Sequence, residues 1–216
     1  MRKIIVTLIL LLCFCGCSKQ KLPSPEVASG MRGVLGIDKN INEETIDNYL
    51  NREDSVYYDM RMLVDVANYE NIGGDSYLSG FVKGFEVIPY PLLTTIVDLP
   101  EEVGTPYEGK TLFTLDEEGN YIPNYEESVE FLEYFFPKDK NIFLMCGGGG
   151  YAGSTKKMLV ALGWEENKIY NVGGYWYYNG DNAIVVKETK DGEDSYAFWK
   201  VPYHDIDFDN FHEVVR

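Results

Sequence analysis

The sequence predicts an α/β fold with a mainly parallel central sheet and helices on both faces, and two observations carry that reading. Short runs of strand-forming residues alternate with helical patterns between about residues 37 and 182, the order that produces parallel strands joined by crossover helices. The clearest unit is Asn141–Trp164, where the apolar run Ile142 to Met145 enters Cys146, Gly147, Gly148, Gly149 and Gly150, and then a helix over Ser154–Leu162. This reads as strand, tight loop, helix. Ligands of such sheets gather at the carboxyl ends of the strands, which is where Cys146 lies.

Taken in order, Asn42 before Glu43-Glu44-Thr45 is a helix start, and Ile46, Tyr49 and Leu50 form the apolar side of a short helix ending near Asn51. The stretch Val56–Val66 is rich in strand formers and punctuated by Asp59 and Asp65, with Met62 to Val66 the expected buried strand. Phe85–Ile88 predicts a short strand stopped by Pro89 and Pro91. Thr111–Leu115 and Tyr121-Ile122 fit a hairpin across Glu117-Glu118-Gly119-Asn120. Asn124 begins a helix through Val129, Leu132 and Phe136, stopped by Pro137. In the helix after the glycines, Met158, Leu159 and Leu162 are expected inward, Lys156 and Lys157 outward, and Gly163 ends it. Lys168–Val172 is a further strand closing on Gly173-Gly174. Residues 183–216 predict a hairpin of Ala183–Val186 and Tyr196–Val201 about Asp191-Gly192, followed by an acidic tail in which His204 and His212 are solvated.

The start of the chain has another character. Arg2 and Lys3 precede the largely apolar Ile4–Phe14, too short to span a bilayer, and Phe14-Cys15-Gly16-Cys17 closes it. The tetrad resembles a bacterial lipobox, with Phe14 where leucine is usual and Cys15 in an uncommon place. That resemblance implies a signal peptide over residues 1–16, a lipid (palmitate-type acyl chains) on Cys17, and an extracytoplasmic protein anchored to the bacterial membrane. Residues 17–36, with Pro23, Pro25, Gly30 and Gly33, are then a flexible tether.

Charge narrows the partners. The 216 residues hold 35 acidic and 19 basic side chains, a net −16, and without Arg2 and Lys3 the balance is 17 against 35, or −18. Nucleic acid is an unsuitable partner for such a surface, and membrane attachment would rest on the lipid and not on a basic patch. With Cys13 and Cys15 removed and Cys17 acylated, Cys146 is the single free thiol of the expected mature chain. Glycine amides and a helix N-terminus facing that thiol predict a lowered pKa and a stabilised sulfur anion. A packing cysteine is the plain alternative, since cysteine is commonly buried.

Several separated segments together resemble the rhodanese-like domains, over about residues 40–180. Gly80-Phe81-Val82-Lys83-Gly84-Phe85-Glu86-Val87-Ile88-Pro89 is similar to the family's G-H-I-x-G-A-x-x-I-P, with Phe81 for His and Phe85 for Ala. Met62–Val66, with Asp65, resembles the preceding strand and its terminal Asp; Asp59-Met60-Arg61 is a competing register, and Asp65 is preferred because it lies nearer Gly80. Cys146–Ala152 stands against C-R-x-G-x-R-S, Gly163-Trp164 against the helix-ending Gly-aromatic pair, and Ile169–Gly174 against V-x-N-L-x-G-G, one residue short.

The resemblance implies a sulfurtransferase in which Cys146 takes a sulfane sulfur as a persulfide and passes it to a thiol acceptor. Its sulfur would be cradled by the amides of Gly147, Gly148, Gly149, Gly150, Tyr151 and Ala152, with no cofactor or metal. Asp65, Phe81, Tyr175 and Trp176 are candidate pocket residues. Gly147 and Tyr151 replace the family's two loop arginines, so anionic thiosulfate loses its cationic partners and a thiol-bound persulfide becomes the better donor. Ala152 replaces the arginine that related phosphatases need, which excludes phosphatase chemistry. The alternative function is a non-catalytic binding or redox-responsive module, with a thiol-redox partner keeping Cys146 reduced.

Overall fold

The computed structural model describes residues 21–28, 36–61, 80–96, 107–185, 187–196 and 206–215. The expected signal peptide, Cys17, Asp65 and the strand expected over Met62–Val66 lie outside these residues. The protein is an α/β fold centred on four parallel strands: β1 (Ser55–Asp59), β3 (Glu86–Val87), β6 (Asn141–Cys146) and β7 (Ile169–Gly174). Their order is β3-β1-β6-β7. Asp38 extends the far edge by donating its N–H to Asn171 O at 2.8 Å.

Alternation of side chains along these strands makes two apolar faces. On one, Tyr58, Ile142, Leu144 and Cys146 join residues of α1 (Tyr90–Leu93), α2 (Ser128–Phe135) and α3 (Gly150–Ala161), including Leu92, Leu132, Met158 and Leu159. On the other, Tyr57, Phe143, Met145, Tyr170 and Val172 pack with Ile41, Ile46, Phe85 and Tyr178. Three rings cross neighbouring strands as a ladder: Tyr57 on Phe143 at 4.9 Å and Phe143 on Tyr170 at 4.8 Å, both nearly parallel. The expectation of helices on both faces needs correction among the described residues. All three α-helices pack on the first face, while the second is covered by the 3₁₀ turn Ile46–Tyr49, by β2 (Gly80–Val82) and by the aromatic segment after β7.

The lesser sheets refine other expectations. The hairpin of β4 (Phe113–Leu115) and β5 (Tyr121–Pro123) lies where the pattern placed it. The terminal hairpin is formed by β9 (Lys187–Lys190) and β10 (Glu193–Tyr196), because Asp191 and Gly192 both take positive φ and make a two-residue turn between immediately adjoining arms. Ala183–Val185, expected as one of its arms, is instead β8 and pairs antiparallel with β2, so the globular unit runs past residue 182.

Residues 21–28, expected in the tether, are bound to the domain: Ala28 donates to Ile37 O, Lys39 donates to Glu26 O, and Tyr170 donates its hydroxyl to Pro23 O. Asp38 holds that junction, its carboxylate accepting the N–H groups of Glu26, Asn40 and Ile41. The C-terminal residues also fold back and are not simply solvated. Glu126 donates to His212 O, Val214 donates to Asn124 O, and Phe208 and Phe211 meet Tyr125 edge-on or tilted. His212 Nδ1 lies 2.5 Å from Glu127 Oε1.

Candidate active site

Cys146 is the last residue of β6, and its sulfur sits under the first turn of α3. The Gly149 N–H donates to Sγ at 3.1 Å, and the Ala152 N–H donates to it as well. The thiol thus accepts amides that a helix start leaves without intrahelical partners, the role an N-cap side chain usually fills. This explains why α3 begins at Gly150 and not at Ser154: Gly153 N–H already bonds Gly149 O, closing the first helical turn four residues earlier. The turn needs Gly149 at φ +98, a left-handed conformation costly for any residue with a Cβ. Gly150 is therefore the first helical residue, and the loop proper is Gly147–Gly149.

Asn171 braces the loop from the neighbouring strand. Its side-chain amide donates to Gly149 O at 3.1 Å and Gly36 O at 2.8 Å, while its carbonyl accepts from Gly173 N. The register slips by one residue between Leu144 and Met145, which brings Gly173 opposite Met145 and Gly174 opposite Cys146. A Cβ on Gly174 would overlap the Gly147 carbonyl, so the two backbones can approach only because that residue is glycine.

The remaining candidates divide. Trp176 lies directly on the loop: a Cβ at Gly147 would overlap its ring, and its backbone N–H donates to Gly147 O at 3.2 Å. Tyr151 is buried in the first turn of α3, its ring 5.4 Å from that of Tyr90 on α1. Tyr175 packs its phenol against Gly80 and lies under the Arg61 guanidinium, 4.8 Å from Cζ to ring centroid. Phe81 is a buried β2 residue opposite Ile184 of β8.

The acid that reaches the site is Asp59, at the end of β1 and opposite Met145. Arg61 follows it, bound to both Asp59 oxygens at 2.5–3.1 Å and donating from Nη2 to Gly80 O at 2.6 Å. The competing register Asp59-Met60-Arg61 is therefore the one that joins the Gly80 segment to the strand beside Cys146, whereas Asp65 lies outside the described residues. The buried Arg61 was missed as a site residue. Its signal was the Asp-x-Arg spacing, set aside in favour of sequence proximity to Gly80.

The expected lowering of the thiol pKa is reversed. Burial pushes the Cys146 thiol up, the Asp59 carboxylate adds to the rise, and the Ala152 and Gly149 amides with the Arg61 cation offset only part of it. With 2% of its surface exposed, the thiol loses more solvation as an anion than the loop returns. Its alkylation by iodoacetamide is expected to keep accelerating as pH rises beyond the range in which free cysteine is fully ionised; a plateau below neutral pH would contradict this. Lys156, expected outward, is also buried, 3.8 Å from Glu166, and its ammonium is pushed down by that burial.

Fold and site define an α/β protein with a helix-capped thiol at the carboxyl end of a central parallel strand. Comparison with protein-family models, with curated proteins and with solved structures finds no match.

Proposed function

We propose that the protein is a rhodanese-like sulfurtransferase or persulfide carrier that holds sulfane sulfur on Cys146. The observation that supports this best is the placement of the thiol. Its sulfur is held by two amides at the start of α3, and segments quoted above for the resemblance converge around it: Asp59 and Arg61, Gly80, Gly173 and Gly174.

The transfer conserves atoms and electrons. A donor persulfide R–S–SH gives its outer sulfur to Cys146; the new S–S bond forms as the donor's S–S bond breaks, and the thiol proton leaves with the donor as R–SH. An acceptor thiol then takes the sulfur by the same exchange and restores Cys146. The neutral loop favours thiol-bound persulfides over thiosulfate, because Gly147 and Tyr151 offer no cation and Arg61 already faces Asp59. Attachment through a lipid on Cys17, outside the cytoplasm, is part of the same proposal, and so are a small sulfur donor, a thiol acceptor and a redox partner.

A second reading, a redox-responsive or binding module without turnover, is favoured by the burial of Cys146, which pushes its thiol pKa up and covers the sulfur. One experiment separates the two. The full-length chain in detergent is incubated with glutathione persulfide or thiosulfate, and its intact mass and cyanide-dependent turnover are measured. One added sulfur atom, absent from Cys146→Ser and greater with the glutathione donor, is expected. No adduct and no turnover with either donor would refute the transferase.

A further inference from the structure

The strap of residues 22–28 fixes where the chain enters the domain. Val27 and Asp38 form an antiparallel bridge, Ala28 N–H donates to Ile37 O, and Asp38 N–H donates to Asn171 O, so the strap runs alongside the β7 edge. Its direction is that of β7. Ala28 is level with Ile37, whose side chain lies against Gly149 and Gly173 at the carboxyl end of the sheet, whereas Pro23 O accepts the hydroxyl of Tyr170, the second residue of β7.

The start of the strap lies beside the opposite end. Lys21, Leu22, Pro23 and Ser24 line an open groove with Asn40 and Tyr49. Tyr49 O accepts the Tyr57 hydroxyl, and that hydroxyl accepts the N–H of Arg52, which precedes β1. The chain therefore enters at the amino end of the strands, and Cys146 stands at their carboxyl end. From Tyr170 to Gly174, which is level with Cys146, β7 advances about 13 Å.

Covalent length then limits how far an anchor can be. Cys17 is four residue steps from Lys21 (21 − 17), a reach of about 14 Å at most. A free tether over residues 17–36 would reach about 68 Å by the same measure. The lining of the groove holds one cation, Lys21, and no carboxylate, so this part of an acidic chain can approach phosphate headgroups.

We propose that the end of the domain marked by the groove of Lys21–Ser24, Asn40 and Tyr49 is a membrane-facing surface resting on phospholipid headgroups, with the Cys146 loop turned away from the bilayer. This rests on the proposed acylation of Cys17 and gives the anchored domain an orientation. The thiol end is thereby presented to water-soluble donors and acceptors.

The test uses the full-length chain, acylated in a bacterial host and reconstituted on phosphatidylcholine vesicles whose headgroups carry an energy-transfer acceptor. In a Cys146→Ser background, a donor fluorophore is placed at Ser24→Cys or at Tyr177→Cys; both positions are exposed, the second in the turn that follows β7. With a height difference of about 13 Å or more, transfer from position 24 is expected to be stronger by about twofold or more. Inserting about 20 Gly and Ser residues between Cys17 and Lys21 is expected to at least halve the transfer from position 24. Equal transfer from the two positions, or stronger transfer from 177, overturns the inference and leaves the lipid anchor intact, as does a signal at 24 that the insertion does not change. An intact mass without acyl chains overturns both.

Discussion

Asp59→Ala is expected to destabilise the fold by about 3–5 kcal/mol, the range found when one partner of a buried ion pair is removed and the other left uncompensated. The two side chains are 1% and 5% exposed, so solvent cannot replace the lost carboxylate. For a chain of this size the change corresponds to a fall of roughly 6–20 °C in the melting midpoint. The double variant Asp59→Ala with Arg61→Met removes the stranded charge and should recover a large part of the loss. Thermal unfolding followed by circular dichroism measures both. A single variant within about 0.5 kcal/mol of wild type would show that the pair contributes no more than an ordinary surface substitution.

Trp176→Ala is expected to raise the alkylation rate of Cys146 by about 10- to 100-fold at fixed pH, equivalent to removing about 1.4–2.8 kcal/mol of protective cover. The ring rests on Gly147 and Gly148, while the thiol beneath the loop is almost fully buried. Competing alkylation of the wild type and the variant, followed by intact mass, provides the measurement. Equal rates would place the barrier elsewhere. The same contact bears on any side chain at 147, which would meet the indole at once. Under the proposed sulfurtransferase reading, Gly147→Arg alone would therefore not supply a cation to the loop, since Trp176 must first give way.

These contacts also mark what could be read from the amino-acid order. Ile142–Cys146 and the glycines after it announced themselves because strand, turn and helix signals are local, and the Asp191-Gly192 turn did so for the same reason. The choice between Asp59 and Asp65 was not local. It depends on which residues of a long strand-forming stretch line up with β6, and the pairing of Ser55 with Asn141 sets that register. The start of α3 was placed too late because a sulfur four residues before Gly150, and so eight before the expected start at Ser154, carries no capping signal in sequence statistics. The thiol pKa was misjudged in direction, since amides and a helix terminus can be inferred from glycines and periodicity, but the depth at which they lie cannot. Lys156 shows the same limit: its burial comes from neighbours outside its own helix, Glu166 among them.

The pairing of β1 with β6 also sets a schedule for making the protein. Val56 must meet Ile142, a separation of 86 residues (142 − 56), and β7 is later still. At about 5–20 residues per second of synthesis, roughly 4–17 s pass between the appearance of these two strands. During that interval Val56, Tyr57 and Tyr58 have no sheet neighbour on the β6 side. Long-range parallel pairing of this kind folds slowly, so the newborn chain remains open for seconds and exposes an aromatic strand. The packing that buries Cys146 is completed only at the end, which keeps the thiol accessible to oxidants and to other thiols until its cover is in place.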